Sequence, residues 1–407
     1  KKCGATARLG RCAPTGMAAL RMKNCCNYDA TTIHRALNKS DGITLRTADV
    51  VIVDELSMIS IELFRDLVTS LQNRAMLLFV GDPNQLPSID PGNVLRDLID
   101  SGEIPTCRLT QFHRQAEGSL ISQNIARVNR GEMPITIPGN IEFRTLFYSD
   151  TVECVRAAVL SVKYLMSIAS NKKFDIQVIT PTNKGETGAD GLNRELRDVM
   201  RLCDVIPDEP DGSFSAFQKL HFADSTGKFS VGDKVIQCEN DYDRGVINGE
   251  IGIVDSVMGT VLIVKFDDHS ALYSLTEQDQ LKHAYAITVH KSQGSEFKYV
   301  ILIVTNSAGP MLNRRLIYTG MSRGRERVII IGQENALKRA IENTKDDSRN
   351  TGLAGKLAAG MRNAAIEIAA KRAASEHTSA AKPVVSQITA DSPKLIADMT
   401  NNADEVD

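Results

Sequence analysis

The 407-residue chain is expected to fold as an α/β protein built on buried parallel sheets. Three observations predict this. First, Val50-Val51-Ile52-Val53 is a short β-branched run that stops abruptly at Asp54-Glu55, as when a buried parallel strand delivers acids to the end of a sheet. Second, comparable apolar runs recur at 75–80, 174–180, 298–304 and 327–331. Third, segments of helical periodicity lie between them. Residues 59–72 place Ile61, Phe64, Leu67, Val68 and Leu71 on one face, and 119–130, 152–170 and 191–200 also read as helices. Open sheets of this kind gather their ligands at the carboxyl ends of the strands.

Composition sets bounds on partners. Hydrophobic content of 42% and charged content of 24% are ordinary for a soluble protein, and the length suffices for two or three domains. With 48 basic against 50 acidic residues the net charge is −2, so any grip on a phosphate backbone must come from a local basic groove. The eight cysteines show no CxxC spacing, which favours reduced thiols in a cytoplasmic protein over zinc or disulfides. No apolar run approaches the ~18 residues of a membrane span. Lys1-Lys2-Cys3-Gly4 leads into no apolar leader, so neither a membrane partner nor secretion is expected.

The strand ends carry the chemistry. Asp54 is placed to hold Mg²⁺, and Glu55 to orient or deprotonate a water. The 75–80 strand runs into Gly81-Asp82-Pro83-Asn84-Gln85, which by itself is ordinary turn chemistry. Pro14-Thr15-Gly16 opens a helix, whose first N–H groups can meet an anion, and Thr31-Thr32-Ile33-His34 follows. Further along stand Thr288-Val289-His290-Lys291-Ser292-Gln293-Gly294-Ser295-Glu296 and Tyr318-Thr319-Gly320-Met321-Ser322-Arg323.

In this order these stretches resemble motifs Ia, II, III, V and VI of superfamily 1 helicases, over roughly residues 7–335. The wording of III and V looks most like the RecD/Dda-like branch, which moves 5′ to 3′. The resemblance implies two RecA-like P-loop NTPase lobes, the first incomplete, with a small β-barrel inserted in the second. It implies ATP and Mg²⁺ as cofactors, with Asp54 holding the metal, Glu55 catalytic and Gln85 sensing the γ-phosphate. Cys107 to Gln115 resembles motif IV, making Arg114 a second γ-phosphate contact. Gln293, Gly294 and Glu296 would face the nucleotide. Arg323 would reach the γ-phosphoryl group from across the cleft, an arrangement worth ~10³–10⁵ in rate in related NTPases. Pro14, Thr15, Gly16, Thr32, His34, Thr182, Asn183, Thr288, His290 and Ser292 would line the path of single-stranded DNA.

The expected organisation is a partial first lobe at 1–135, the start of a second lobe at 136–228, a β-barrel insertion at 229–283 and the rest of the second lobe at 284–345. An Ala-rich helix and flexible tail then occupy 346–407. Alternating short strands around the Asn248-Gly249 and Met258-Gly259 turns mark the insertion. The phosphate cradle GxxxxGK[ST] does not occur: Gly227-Lys228 and Gly355-Lys356 are the only Gly-Lys pairs, and neither precedes Ser or Thr. The cradle is therefore expected just upstream of residue 1, and this stretch is expected to be inactive without it. The interval 38–44 has room for only a short turn where the family often carries a wedge hairpin. The expected activity is that of an ATP-dependent DNA helicase or translocase working on single strands and duplex/single-strand junctions, in repair or recombination. The alternatives are an ATPase-inactive nucleic-acid-binding remnant and the helicase part of a conjugative relaxase.

Overall fold

The computed structural model describes residues 7–38, 45–71, 75–109, 118–202, 228–267, 269–345 and 349–363. The chain divides into two compact units, Lys1–Thr110 with Asp346–Asp407, and Gln111–Lys345.

In the first unit, β1 (Leu9–Ala13), β2 (Thr31–Thr32), β3 (Val50–Val53) and β4 (Met76–Phe79) pair in the order β2-β1-β3-β4, every pair parallel. Helices α1 (Gly16–Cys26), α2 (Ile33–Leu37), α3 (Ile61–Ser70) and α4 (Val94–Asp100) connect or follow them. The Ser60 hydroxyl caps α3 by accepting from Leu63 N at 3.2 Å. Leu63, Phe64, Leu67 and Val68 then pack with Val51 and Val53, as the periodicity predicts. Burial on both faces does not extend to the sheet edge: Met76 and Leu78 of β4 are 65% and 51% exposed, because the helices of this core cover the opposite face. The segment after residue 346 is more than a tail. Residues 353–363 are helical, and Leu353 and Leu357 join the core of this unit. The Thr351 hydroxyl donates to Asp97 Oδ2 at 2.6 Å. The rest of the expected Ala-rich helix and tail lies outside the described residues.

The second unit opens with α5 (Leu120–Asn129), β5 (Phe143–Phe147), α6 (Thr151–Ile168), α7 (Lys172–Asp175), β6 (Ile176–Thr180) and α8 (Ala189–Leu202). An insertion follows: β7 (Lys234–Gln237), β8 (Ile251–Met258), β9 (Val261–Lys265), β10 (Ser270–Tyr273) and β11 (Leu281–His283). The unit closes with β12 (Ala286–Thr288), β13 (Phe297–Val304), α9 (Arg314–Met321), β14 (Gly324–Gly332) and α10 (Glu334–Glu342). Its main sheet has the order β12-β6-β13-β14-β5 and is wholly parallel. All five residues of β6 are buried. The division between units falls earlier than the expected boundary at 135, and α5 shows why. Its first turn is held by the Glu142 carboxylate, which accepts from Ser119 Oγ and Leu120 N. Its exit at Gly131 lies so close to α9 that a Cβ there would stand 2.7 Å from Arg314 Nη2.

The insertion has its own core of Phe229, Val235, Val254, Leu262, Val264 and Tyr273. Its ladders are antiparallel in the order β10-β9-β8-β7-β11, with the predicted turn at Gly259 joining β8 to β9. Among the described residues no ladder joins β10 to β11, and the ladders form an antiparallel sheet; they do not by themselves show the small β-barrel that the resemblance implies.

Candidate nucleotide and nucleic-acid sites

Because every strand of the first unit's sheet is parallel, the segments that follow them emerge at one edge. That edge collects Pro14-Thr15-Gly16 after β1, Thr32 with His34 at β2, Asp54-Glu55 after β3 and the loop from Val80 to Gln85 after β4. Thr15 and Thr32 cap α1 and α2, their hydroxyls accepting from Ala18 N and Arg35 N, each at 3.3 Å. His34 is exposed in the first turn of α2.

Asp54 continues β3, its N–H donating to Cys12 O at 3.0 Å, and its Oδ1 accepts from Glu55 N at 2.8 Å. Among the described residues, Glu55 is one of two non-glycine residues with positive φ (53°, ψ 41°). A left-handed glutamate at a strand end is a costly conformation of the kind that accumulates at functional sites. The turn it makes rests on the neighbouring loop. Leu56 N donates to Val80 O at 2.9 Å, and a Cβ on Gly81 would stand 3.1 and 3.2 Å from the N atoms of Leu56 and Ser57. The Gln85 amide, in turn, donates to Asp82 Oδ2 at 3.3 Å. Asp54, Glu55 and Gln85 thus stand on two loops in van der Waals contact. Asp54 at this edge could serve Mg²⁺, which takes one or two protein carboxylates and completes its shell with water and phosphate. No group of three or more metal-ligating side chains occurs among the described residues. Arg114 lies outside the described residues.

In the second unit the expected residues fall at opposite ends of one sheet. Thr182 and Asn183 follow β6, and Thr288 closes β12, at the carboxyl edge. Glu296 immediately precedes β13, and Arg323 immediately precedes β14, at the amino edge. Arg323 is 1% exposed; Nε donates to Thr319 O at 3.1 Å, Nη2 to Ser322 Oγ at 3.1 Å and Nη1 to Ser295 O at 3.3 Å. That last bond ties it to the Gln293–Glu296 turn, in which Gly294 takes a φ of +78°. The expected nucleotide-facing residues of this unit are therefore together. Ser292, expected on the DNA path, is fully buried and its hydroxyl donates to Val289 O at 2.7 Å, so it braces the turn. His290 begins that turn and is half-buried.

At the carboxyl edge, between the parallel sheet and the insertion, lies a cavity of about 510 Å³. Asn183 and Thr288 line it, along with Arg194, Arg197, Lys228, Lys282 and Lys291; the acids are Asp190 and Asp279. This is the local basic groove that a near-neutral chain needs if it binds phosphates. Two of its lining residues, Arg197 and His283, reach a buried charge cluster behind it. Asp233, 0% exposed, accepts from Arg197 Nη2 at 2.7 Å and Nε at 3.1 Å, Ser230 N at 2.8 Å and Tyr285 Oη at 2.9 Å; His283 Nε2 lies at 3.3 Å. Burial alone would raise this carboxyl, but His283 and Arg197 hold it down at about 2. Lys234, also 0% exposed, donates to Gln177 Oε1 at 2.8 Å and Ile176 O at 3.1 Å, and burial pushes it down to about 7. The available signal was a charged pair opening a strand that reads as buried.

Residues 5–142 match a family profile described as an AAA domain, and residues 283–331 match the UvrD-like helicase C-terminal domain. The chain is 32% identical over 351 residues to the ATP-dependent RecD2 DNA helicase of Deinococcus radiodurans, an alignment covering 85% of this chain and 46% of that protein. These matches support a RecD-like helicase of superfamily 1. A second relative is the RecBCD enzyme subunit RecD of Mycolicibacterium smegmatis, 25% identical, with 85% of this chain and 65% of that one covered. The chain thus spans about half to two thirds of the length of these relatives. A Bacteroides Pif1 helicase solved with ADP-AlF3 and ssDNA aligns with 80% of this chain and 83% of its own, at 18% identity and a TM-score of 0.48. No helix among the described residues is long and apolar enough to cross a membrane.

Proposed function

We propose that this RecD-like chain supplies the motor of an ATP-dependent DNA helicase or translocase that moves 5′ to 3′ along single-stranded DNA and acts at duplex/single-strand junctions. The observation that carries the proposal is the convergence of Asp54, Glu55 and the Gln85 loop at one sheet edge, with Glu55 left-handed and the next residue, Leu56, bonded to Val80 O. In this reading the two units are RecA-like lobes, and bound Mg²⁺–ATP supplies the electrophilic γ-phosphoryl group and the free energy of its transfer to water. Asp54 holds the metal. Glu55 takes a proton from the attacking water and orients it. Gln85 reports the state of that site to its own loop. Arg323 offers a guanidinium already oriented by Thr319, Ser322 and Ser295, so little ordering remains for it to undergo. Affinity for the strand rests on phosphate contacts in the basic groove and on the helix starts at Thr15 and Thr32, and falls with salt.

The test is ATP hydrolysis by the full-length gene product with and without single-stranded DNA, compared with Glu55→Gln. Turnover should be stimulated by DNA in the first protein and lost in the second, with nucleotide binding retained. Equal rates would remove Glu55 from its role. A second reading is a nucleic-acid-binding remnant without ATPase activity. DNA binding without any hydrolysis by the full-length product would select it.

A further inference from the structure

The groove and the inserted sheet meet at one point in sequence and space. The chain enters the insertion's ladders at Asp233-Lys234 and leaves them at His283-Ala284-Tyr285, and these two crossings are tied together. Ala284 N donates to Lys234 O at 2.9 Å, and Tyr285 Oη donates to Asp233 Oδ1. Each buried charge then reaches into the main fold. Asp233 takes the guanidinium of Arg197 on α8, while Lys234 holds Ile176 and Gln177 at the start of β6. Gln177, itself 0% exposed, returns its amide to Ala284 O and Tyr285 O at 3.0 and 3.1 Å.

We infer that Asp233 and Lys234 are positioning residues that lock the root of the inserted sheet to the parallel sheet and thereby hold the groove walls at the spacing a nucleic-acid strand needs. This rests on the nucleic-acid reading of the groove. Its consequence separates two arginines that look alike in sequence. Arg194 and Arg197 both line the groove, but Arg197 is already neutralised by a fully buried carboxylate through two bonds. It works as a pillar, whereas Arg194 is a phosphate ligand. Lys234 is sharper still. Its ammonium reaches no groove surface, so it can influence binding only through geometry.

Salt dependence distinguishes the roles, because each phosphate contact to a single strand contributes ~0.7 to the slope of log K against log salt. The 407-residue chain is titrated into a fluorescein-labelled oligothymidylate at several salt concentrations. Arg194→Ala should lower the slope by ~0.7. Arg197→Ala and Lys234→Met should each weaken binding about tenfold, with the slope of the unsubstituted chain, since repositioned walls weaken contacts without removing a counterion-releasing group. A slope loss in Arg197→Ala equal to that in Arg194→Ala overturns the inference, as does unchanged affinity in Lys234→Met. Near-UV circular dichroism reports whether the variants fold. If either does not, Tyr285→Phe, which removes a single donor to Asp233, should show the same pattern at smaller amplitude, and unaltered binding by it is equally fatal. Failure of the unsubstituted chain to bind the oligonucleotide would instead remove the nucleic-acid reading itself.

Discussion

Glu55 lends itself to a paired perturbation, because its backbone and its side chain are asked to do different things. Its φ of 53° and ψ of 41° lie in the left-handed region, which costs a residue with a Cβ roughly 1–2 kcal/mol. Glycine is free of that cost but adds roughly 0.4–1 kcal/mol of unfolded-chain entropy. Glu55→Gly should therefore be as stable as the unsubstituted chain or more stable by up to ~1.5 kcal/mol, the difference of those two ranges. Glu55→Gln keeps the strain and should leave stability unchanged. Both changes remove the carboxylate, and loss of a general base costs ~10²–10⁴ in rate. The assay is urea unfolding of the three proteins beside DNA-stimulated ATP hydrolysis by the full-length product. Hydrolysis should vanish in both variants, with Glu55→Gly the most stable of the set. A Glu55→Gly protein less stable than Glu55→Gln would mean the left-handed turn is not a cost borne for the side chain's placement, and the argument from strain to function would fail.

Three further outcomes follow from the same physical picture. Gly81→Ala pushes a methyl against the Leu56 and Ser57 backbone, so it should lower ATP turnover at least tenfold while shifting the unfolding midpoint only slightly; unaltered turnover would show that the two loops act independently. Leu357 is 1% exposed in the first unit's core, so Leu357→Ala should cost ~2–5 kcal/mol in urea unfolding, whereas a change below 1 kcal/mol would detach the C-terminal helix from that core. Lys234 releases its proton near pH 7 when folded and near the ordinary 10.5 when unfolded, so unfolding takes up a proton between those values and this group makes stability rise with pH across that window. Lys234→Met should lack that component of the rise, and identical pH profiles would show that the folded amine titrates normally.

Much of the site was legible because a parallel sheet converts chain order into place. Once β-branched runs are read as strands of one sheet, the residues after them must share an edge, and Thr15, Asp54, Glu55 and Gln85 do. What stayed hidden depends on contacts between residues distant in sequence. Lys234 opens the strand Lys-Val-Ile-Gln, and nothing in its neighbourhood along the chain names its partner; its acceptor Ile176 O lies 58 positions earlier. Leu353 and Leu357 stand in a stretch whose composition reads as a solvated helix, because the core they enter was built by residues 12–98. Ser292 matched a motif in which neighbouring positions meet DNA, yet its hydroxyl is consumed by Val289 O, a local bond that spacing alone does not reveal.

The arrangement of the second unit bears on how hydrolysis could move a strand under the proposed function. Glu296 and Arg323 precede the amino ends of β13 and β14, while Thr182, Asn183 and Thr288 follow the carboxyl ends of β6 and β12. Between those ends run strands buried almost throughout: Val300 to Val304 are at most 1% exposed, and Val328, Ile330 and Ile331 are fully buried. A close-packed, fully hydrogen-bonded sheet transmits displacement rather than absorbing it. A γ-phosphate that draws Arg323 would accordingly carry the carboxyl edge with it as one body, and the groove lined by Asn183, Thr288 and Arg194 would travel with that edge. The insertion can share the movement only if its root is equally stiff. Two adjacent buried charges, Asp233 toward α8 and Lys234 toward β6, provide stiffness there where the polypeptide crosses between the two sheets. Under the proposed function, then, the charged residues that matter for the strand include some that never touch it.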